Sequence, residues 1–446
     1  MQLSNHVLDT IKDSLYSLSK SSQLETVQVE LGAPFEVLPF LAQCHVTPII
    51  YFAKPKQSSQ YVAFGEWAIL SSKEAHHCTQ TYGDGIHLFG ACSFDQLTTH
   101  QQQRKKEPSF QSEYWVLPKC WLEMSEISLI LNVVFDLRYQ TKDYCWDQLS
   151  ACFDQLNNQK TKLKKKKQQY YSMQHVPEKS RWDASVKRVK KEIQNQTVEK
   201  VVLARQTSYQ FIDAVNPFIL LHDIQQADNG VYHFCVKVDA NQSFIGGTPE
   251  RLFEISQQSI HSEAVAGTMF KPDNINVEDL KSQLLQSTKD RREHQLVVND
   301  IEKKLETLCL SCVSENVPSL IELRTLIHLI IRFEGQLADN MDWYDCLTML
   351  HPTPAVAGTS IKKSIAIINQ EESFSREWYA GPIGIVSKTS AQIVVAIRSG
   401  VVVGNNVTLF AGAGIVAESD PDEEWAELNA KINLFTELFK SEGSKW

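Results

Sequence analysis

The sequence predicts an α+β protein in which antiparallel sheets carry helices on their outer faces. Three observations support that expectation. Residues from about 25 to 135 alternate short apolar runs with turn residues, as strands of a sheet do. Residues 142 to 195 are polar and helix-prone. Beyond them, strand-like runs bracket a long helical pattern from about 276 to 309, an order that gives sheets with helices outside them.

Taken in order, the first part offers strands at Pro48–Phe52, Tyr61–Phe64, Ile86–Gly90, Tyr114–Leu117 and Ile127–Val134, expected in one antiparallel sheet. Residues 142 to 195 read as a connector, broken at Pro177, with Trp182, Val186, Val189 and Ile193 at helical spacing. The second half offers strands at 198–210, 231–238, 242–246, 251–256, 382–387, 391–399 and 406–411. Leu284, Leu285, Leu296, Val297, Ile301 and Leu305 form the expected buried stripe of the helical pattern between them.

With 446 residues, 43% hydrophobic and 22% charged, the chain can bury a large core, and length alone suggests two or three domains. No apolar run approaches the roughly 18 residues of a membrane span. Met1 to Lys20 lacks the apolar block of a signal peptide, so a cytoplasmic protein is expected. The ten cysteines show no framework spacing and read as reduced; a metal or redox role for the Cys309/Cys312 pair is the alternative. A net charge of −9 argues against nucleic acid as a partner, and the six lysines between Lys160 and Lys167 read as a solvated linker or helix face.

Candidate chemistry concentrates in a few stretches. Gly412 and Gly414 form an expected flexible loop whose amides a ligand could approach, and Asp420-Pro421 then starts a helix. On that helix Glu424, Glu427 and Lys431 share a face, either as a site or as a solvated ion pair. Asp290 and Glu293 repeat the three-residue spacing on another helix, and two such pairs facing each other would suit Mg²⁺. Alternation from Val198 to Arg205 sets Lys200 between small apolar neighbours, where desolvation could make it a general base; a water-facing edge lysine is the alternative. Glu250 follows an expected Gly246-Gly247 turn and is either an acid or a surface glutamate paired with Arg251. Arg398 and Arg376 suit an anionic substrate or structural ion pairs. His328 sits among aliphatic residues as a core histidine would, and His351 lies in a proline-punctuated loop that could shape a pocket wall.

Eight collinear motifs over residues 180 to 440 resemble the chorismate-utilising enzymes, most closely the isochorismate synthases: Lys200-Val-Val-Leu-Ala-Arg205, Gly247-Thr-Pro-Glu250, Glu263-Ala-Val-Ala-Gly-Thr268, Asp290-Arg-Arg-Glu-His294, Leu350-His-Pro-Thr-Pro-Ala-Val356, Trp378-Tyr-Ala-Gly381, Ala396-Ile-Arg398, and Ala411-Gly-Ala-Gly-Ile415 followed by Glu424-Trp-Ala-Glu427. The resemblance implies one large α/β/α sandwich domain over residues 1–446, with a weaker N-terminal portion to about 170 and a motif-bearing portion from about 180 to 440. It implies Lys200 as the base that activates water for attack at C2 of chorismate, and Glu250 as the acid at the departing C4 hydroxyl. Glu293 and Glu427 would bind Mg²⁺ directly, with Asp290 and Glu424 holding its waters. Gly267, Thr268, His328, Tyr379, Arg398, Gly412, Gly414 and Lys431 would surround the substrate.

Subfamily features point the same way. Ala266 stands where aminodeoxychorismate synthases of the family carry a nucleophilic lysine, and Lys200 where anthranilate synthases carry glutamine, so ammonia chemistry and an obligate glutamine amidotransferase subunit are not expected. The menaquinone-pathway type is the expected assignment. The alternatives are a salicylate synthase, a siderophore-pathway isochorismate synthase, and a chorismate-binding protein without catalysis. Gly358-Thr359-Ser360 departs from the pattern, since relatives commonly have proline at the last position.

Overall fold

The computed structural model describes residues 3–19, 23–83, 85–95, 110–157, 168–271 and 276–441. The lysine run at 160–167 lies outside the described residues. Two sheets, antiparallel but for one edge pairing, form the molecule's layers. A 12-stranded sheet runs in the order Leu24–Gly32, Leu129–Asp136, Cys120–Met124, Gln60–Phe64, Ile49–Ala53, Tyr232–Lys237, Gln242–Thr248, Ser399–Val403, Asn406–Ile415, Val201–Phe211, Gln168–Val176 and Phe439–Ser441. A 10-stranded sheet runs Cys309–Ser314, Leu326–Leu337, Ser259–Phe270, Arg251–Ser256, Ser390–Val395, Pro382–Val386, Leu88–Cys92, Glu113–Leu117 and Ala68–Leu70, with Ser319–Glu322 also paired to Leu326–Leu337.

Strands buried at every position, such as Ile49–Ala53, Leu88–Cys92 and Pro382–Val386, show that the sheets are covered on both faces. Helices provide one cover. Thr288–Leu308 packs on Ser259–Phe270, and Pro421–Thr436 packs on Asn406–Ile415. The α+β sandwich with flanking helices is thus observed. No helix among the described residues is long and apolar enough to cross a membrane.

Four expectations need correction. The N-terminal strands do not share one sheet: Ile49–Ala53, Gln60–Phe64 and Leu129–Asp136 join the larger, whereas Leu88–Cys92 and Glu113–Leu117 join the smaller. Alternation specifies which face of a strand is buried, not which sheet receives it. The connector contains a strand of its own, Gln168–Val176, between the helices Lys142–Asn157 and Lys179–Gln194. The long helix is two, Val277–Gln286 and Thr288–Leu308, because Ser287 is extended and caps the second by accepting from the Asp290 N–H. The break shifts the helical phase, so Leu285 is exposed and Leu296 half-buried, while His294 joins the buried face. Finally, the expected strand 391–399 is interrupted: Ser390–Val395 and Ser399–Val403 lie in different sheets, and the intervening turn carries Arg398.

Candidate active site

Gly412 and Gly414 are not in a loop. They lie in the strand Asn406–Ile415, opposite Ala204 and Val202 of the neighbouring strand Val201–Phe211, and neither has positive φ. Their role is space. A Cβ on Gly414 would stand 2.6 Å from Glu293 Oε1 and 2.8 Å from Lys200 Cε, and one on Gly412 would stand 2.7 Å from the Tyr379 hydroxyl. Gly246 and Gly247 are likewise in a strand, Gln242–Thr248; the turn that presents Glu250 comes after them, at Pro249.

Lys200 immediately precedes Val201–Phe211 and is fully buried. Its surroundings are less apolar than alternation implied. Nζ lies 2.8 Å from Glu293 Oε1 as an ion pair, yet finds no aligned hydrogen-bond acceptor among the described residues. Burial would raise the Glu293 carboxyl, but Lys200, Lys431 and Lys289 outweigh it and hold the group below the usual carboxylate value.

Glu250 is 4% exposed. Burial pushes its carboxyl up to about 7, against the opposing pull of Lys200 and Lys431. Arg251 is not its partner, since that side chain pairs with Glu254 and Glu263. Thr353 Oγ1 donates to the Glu250 carboxyl at 3.5 Å, and with its value near 7 the group can take or give a proton near neutrality.

Across the same chamber stands Arg398, whose φ of 48° is a strained conformation for a non-glycine residue. It donates to His328 Nε2 at 2.5 Å. That contact assigns the imidazole proton to Nδ1, 3.1 Å from Thr268 Oγ1. Burial, Arg398 and Lys431 hold His328 well below its usual value, so it is a neutral prop for the guanidinium. Burial also lowers Arg398 to about 10, and its Nε has no partner among the described residues. Gly267 permits the bend beside Thr268: its φ is +72°, at a register shift between Ser259–Phe270 and Leu326–Leu337. Tyr379 stacks on Phe410 at 5.1 Å, and Lys431 reaches Gly412 O at 2.8 Å and Glu427 at 2.6 Å.

These groups line an inner chamber of 70 Å³. An adjoining outer chamber of 660 Å³ shares Thr268, Glu293 and Gly414 and is lined by Asp290, Glu424 and Glu427. Asp420 caps the helix Pro421–Thr436 as expected, accepting from the Asp422 and Glu423 N–H groups. Glu424 is 2% exposed; burial and Glu427 push it up to about 7, and Lys289 answers it at 3.0 Å. Asp290 is raised by burial and accepts from Ser287 Oγ and from the Thr268 N–H. Each of Glu293, Glu424 and Glu427 is therefore met by a lysine, and no group of three His, Cys, Asp or Glu side chains among the described residues is arranged to hold a metal. The donor chemistry nonetheless fits a hard divalent cation, since Asp290, Glu293, Glu424 and Glu427, together with Glu423, line one chamber with carboxylate oxygens.

Of the fourteen residues to which the family resemblance assigns a role, thirteen line these two chambers. Lys200 lines neither, standing behind Glu293 and Gly414. Arg376 is not at the site. It is buried, paired with Glu372, and donates to Val356 O at 2.8 Å and Val202 O at 2.7 Å, so it buttresses the pocket wall. His351 lines neither chamber; it is buried, and its Nε2 donates to Phe94 O at 3.0 Å. Lys289, Thr353 and Phe410 escaped the sequence reading, because nothing in their spacing says which cavity a side chain enters. All ten cysteines are free thiols.

A chamber holding a protonatable carboxyl, a buried guanidinium and Lys431, beside a carboxylate-lined chamber, defines an acid–base site for a small anionic molecule. The sequence model of the chorismate binding enzymes matches residues 13–440, and the chain belongs to that family. It is 30% identical to isochorismate synthase MenF of Pasteurella multocida over 425 residues, 93% of each chain. It is 30% identical to the chloroplastic isochorismate synthase of Catharanthus roseus over 392 residues, 85% of this chain and 66% of that one. The solved structure of MenF, the menaquinone-specific isochorismate synthase from Escherichia coli, superposes with a TM-score of 0.85 at 27% identity, covering 97% of this chain and 98% of that one. The chain spans about half to two thirds of the length of the first curated relatives it matches.

Proposed function

We propose that this chain is an isochorismate synthase of the menaquinone-pathway type, a cytoplasmic enzyme that interconverts chorismate and isochorismate with Mg²⁺ and without an amidotransferase partner. The observation that carries the reading is Glu250, a buried carboxyl held at about 7 that shares its chamber with Arg398, Tyr379 and Lys431. Exchanging a hydroxyl between two ring carbons needs a group that can give a proton at neutral pH and fixed cations for the substrate carboxylates. Lys200 takes a proton from water as its oxygen bonds to C2. The ring double bonds shift, and the C4 oxygen leaves as water with the proton of Glu250. Base action requires Lys200 as the neutral amine, so the proton that makes its contact with Glu293 an ion pair must leave Nζ before Nζ takes one from water. Arg398, Tyr379, Lys431 and the strand around Gly412 and Gly414 hold carboxylates, with Gly267, Thr268 and His328 shaping the wall. Glu293 and Glu427 would hold Mg²⁺ directly and Asp290 and Glu424 through water; the ion would supply positive charge for the ring carboxylate.

The test is chromatographic separation of products from chorismate, with and without Mg²⁺, in water enriched in ¹⁸O. We expect isochorismate carrying one heavy oxygen and no pyruvate. Pyruvate and salicylate as main products would make the chain a salicylate synthase, and binding without turnover would make it a chorismate-binding protein.

A further inference from the structure

We infer that Thr359 is a positioning residue for Lys200, acting as a splint on the backbone that aims the lysine; this rests on the reading of Lys200 as the base. Both main-chain polar groups of Lys200 are taken up by this one residue. The Thr359 hydroxyl accepts from the Glu199 N–H at 2.8 Å and from the Lys200 N–H at 3.0 Å, while the Thr359 N–H donates to Lys200 O at 2.9 Å. Lys200 lies one residue before the strand Val201–Phe211, where the sheet ladder no longer fixes it. The segment around Thr359 replaces that ladder: Val201 bridges to Gly358, and the Val202 N–H donates to Ala357 O at 3.0 Å.

The neighbours of Thr359 are built for this closeness. A Cβ on Gly358 would stand 2.2 Å from Lys200 O, and the φ of Gly358 is +123°, so only glycine lets the segment approach. Ser364 Oγ donates to Thr359 O at 2.6 Å and lies 3.3 Å from Lys200 O, tying the splint to the helix Ile361–Glu371. Ser360 has φ 52°, which proline cannot adopt, so a chain with proline at this position must route the loop differently. The two hydrogen bonds to the hydroxyl and the left-handed turn after it form one device, and its product is the direction in which the Lys200 side chain leaves the backbone.

Thr359→Val keeps the shape and removes both acceptor lone pairs. We expect kcat to fall about 10- to 100-fold with KM within about twofold, because misplacing a reacting group by a fraction of an ångström acts on the chemical step. Thr359→Ser keeps the acceptor and should restore kcat to within about twofold of the parent, a rescue that loss of packing alone would not give. Thr359→Ala is the second variant if valine lowers the melting temperature. Unfolding of both, a parallel rise in KM, or no rescue by serine overturns the splint in favour of a plain structural tie. Normal turnover in Thr359→Val alongside an inactive Lys200→Ala overturns the positioning role alone, whereas normal turnover in Lys200→Ala overturns the assignment of the base itself.

Discussion

Gly414→Ala tests whether that glycine is required for room rather than for flexibility. The strand backbone at 414 admits alanine, and without a clash the substitution would stabilise the fold by about 0.4–1 kcal/mol through the unfolded chain. The clash decides otherwise. The new Cβ falls 2.6 Å from Glu293 Oε1 and 2.8 Å from Lys200 Cε, where ordinary contact begins at 3.4 Å, so the two side chains must part by 0.6 to 0.8 Å. Lys200 is fully buried and cannot move aside into solvent, whereas Glu293, 16% exposed, takes what shift there is. Overpacking of that kind costs about 1–3 kcal/mol, enough to reverse the backbone gain. Displacement of the base by that distance costs about 10²-fold in kcat. Steady-state kinetics and thermal unfolding read both effects. Gly414→Ala with kcat within about twofold of the parent and an unchanged or higher melting temperature would refute the packing argument and with it the placement of Lys200. Gly412→Ala presses on Tyr379 instead, so its effect should fall on KM rather than kcat.

Glu250 is raised in the fold from 4.5 to about 7, so it favours its proton there and weakens the folded state as pH rises through that window. Glu250→Gln removes this dependence; its melting temperature should exceed the parent's at pH 8, by the equivalent of about 3 kcal/mol at most, while turnover is lost. In the parent, kcat/KM for chorismate should fall above pH about 7 as Glu250 loses the proton it must donate, and kcat/KM for isochorismate should fall in parallel, because the equilibrium between two isomers of equal charge does not change with pH. Arg376→Met removes the guanidinium that answers the buried Glu372 carboxylate and should cost about 3–5 kcal/mol by chemical denaturation, with little change in KM in the protein that remains folded. Chelation should abolish turnover and Mg²⁺ restore it, and Glu427→Gln should raise the Mg²⁺ needed for half-maximal rate at least about tenfold, measured also by direct titration of the ion.

What could be read from the sequence, and what could not, divides along a physical line. Local chemistry was legible: Asp420 before Pro421 caps its helix, Pro177 separates a strand from a helix, and the Glu424/Glu427 spacing shares a helix face, because each depends on residues within a turn or two. The two-sheet architecture and thirteen of the cavity-lining residues followed from motif order, which encodes long-range placement without showing how it arises. Local reasoning failed where a residue's role is set by something far away in the chain. Gly412 and Gly414 look like a flexible loop until Tyr379, Glu293 and Lys200 are known to occupy the space above them. Lys200 looks like an apolar-strand lysine until Glu293, from a helix 93 positions later, meets its ammonium. Thr359 carries no signal at all in its spacing, yet it satisfies both backbone groups of Lys200. The carboxylates show the same division in the opposite sense. Their number and helical spacing point to a cation, while the lysines that now answer three of them, Lys200, Lys289 and Lys431, come from three separate elements. A divalent ion bound by those carboxylates would compete with all three ammonium groups, so the number and spacing of the carboxylates alone do not set its affinity; the lysines brought to them by the fold do.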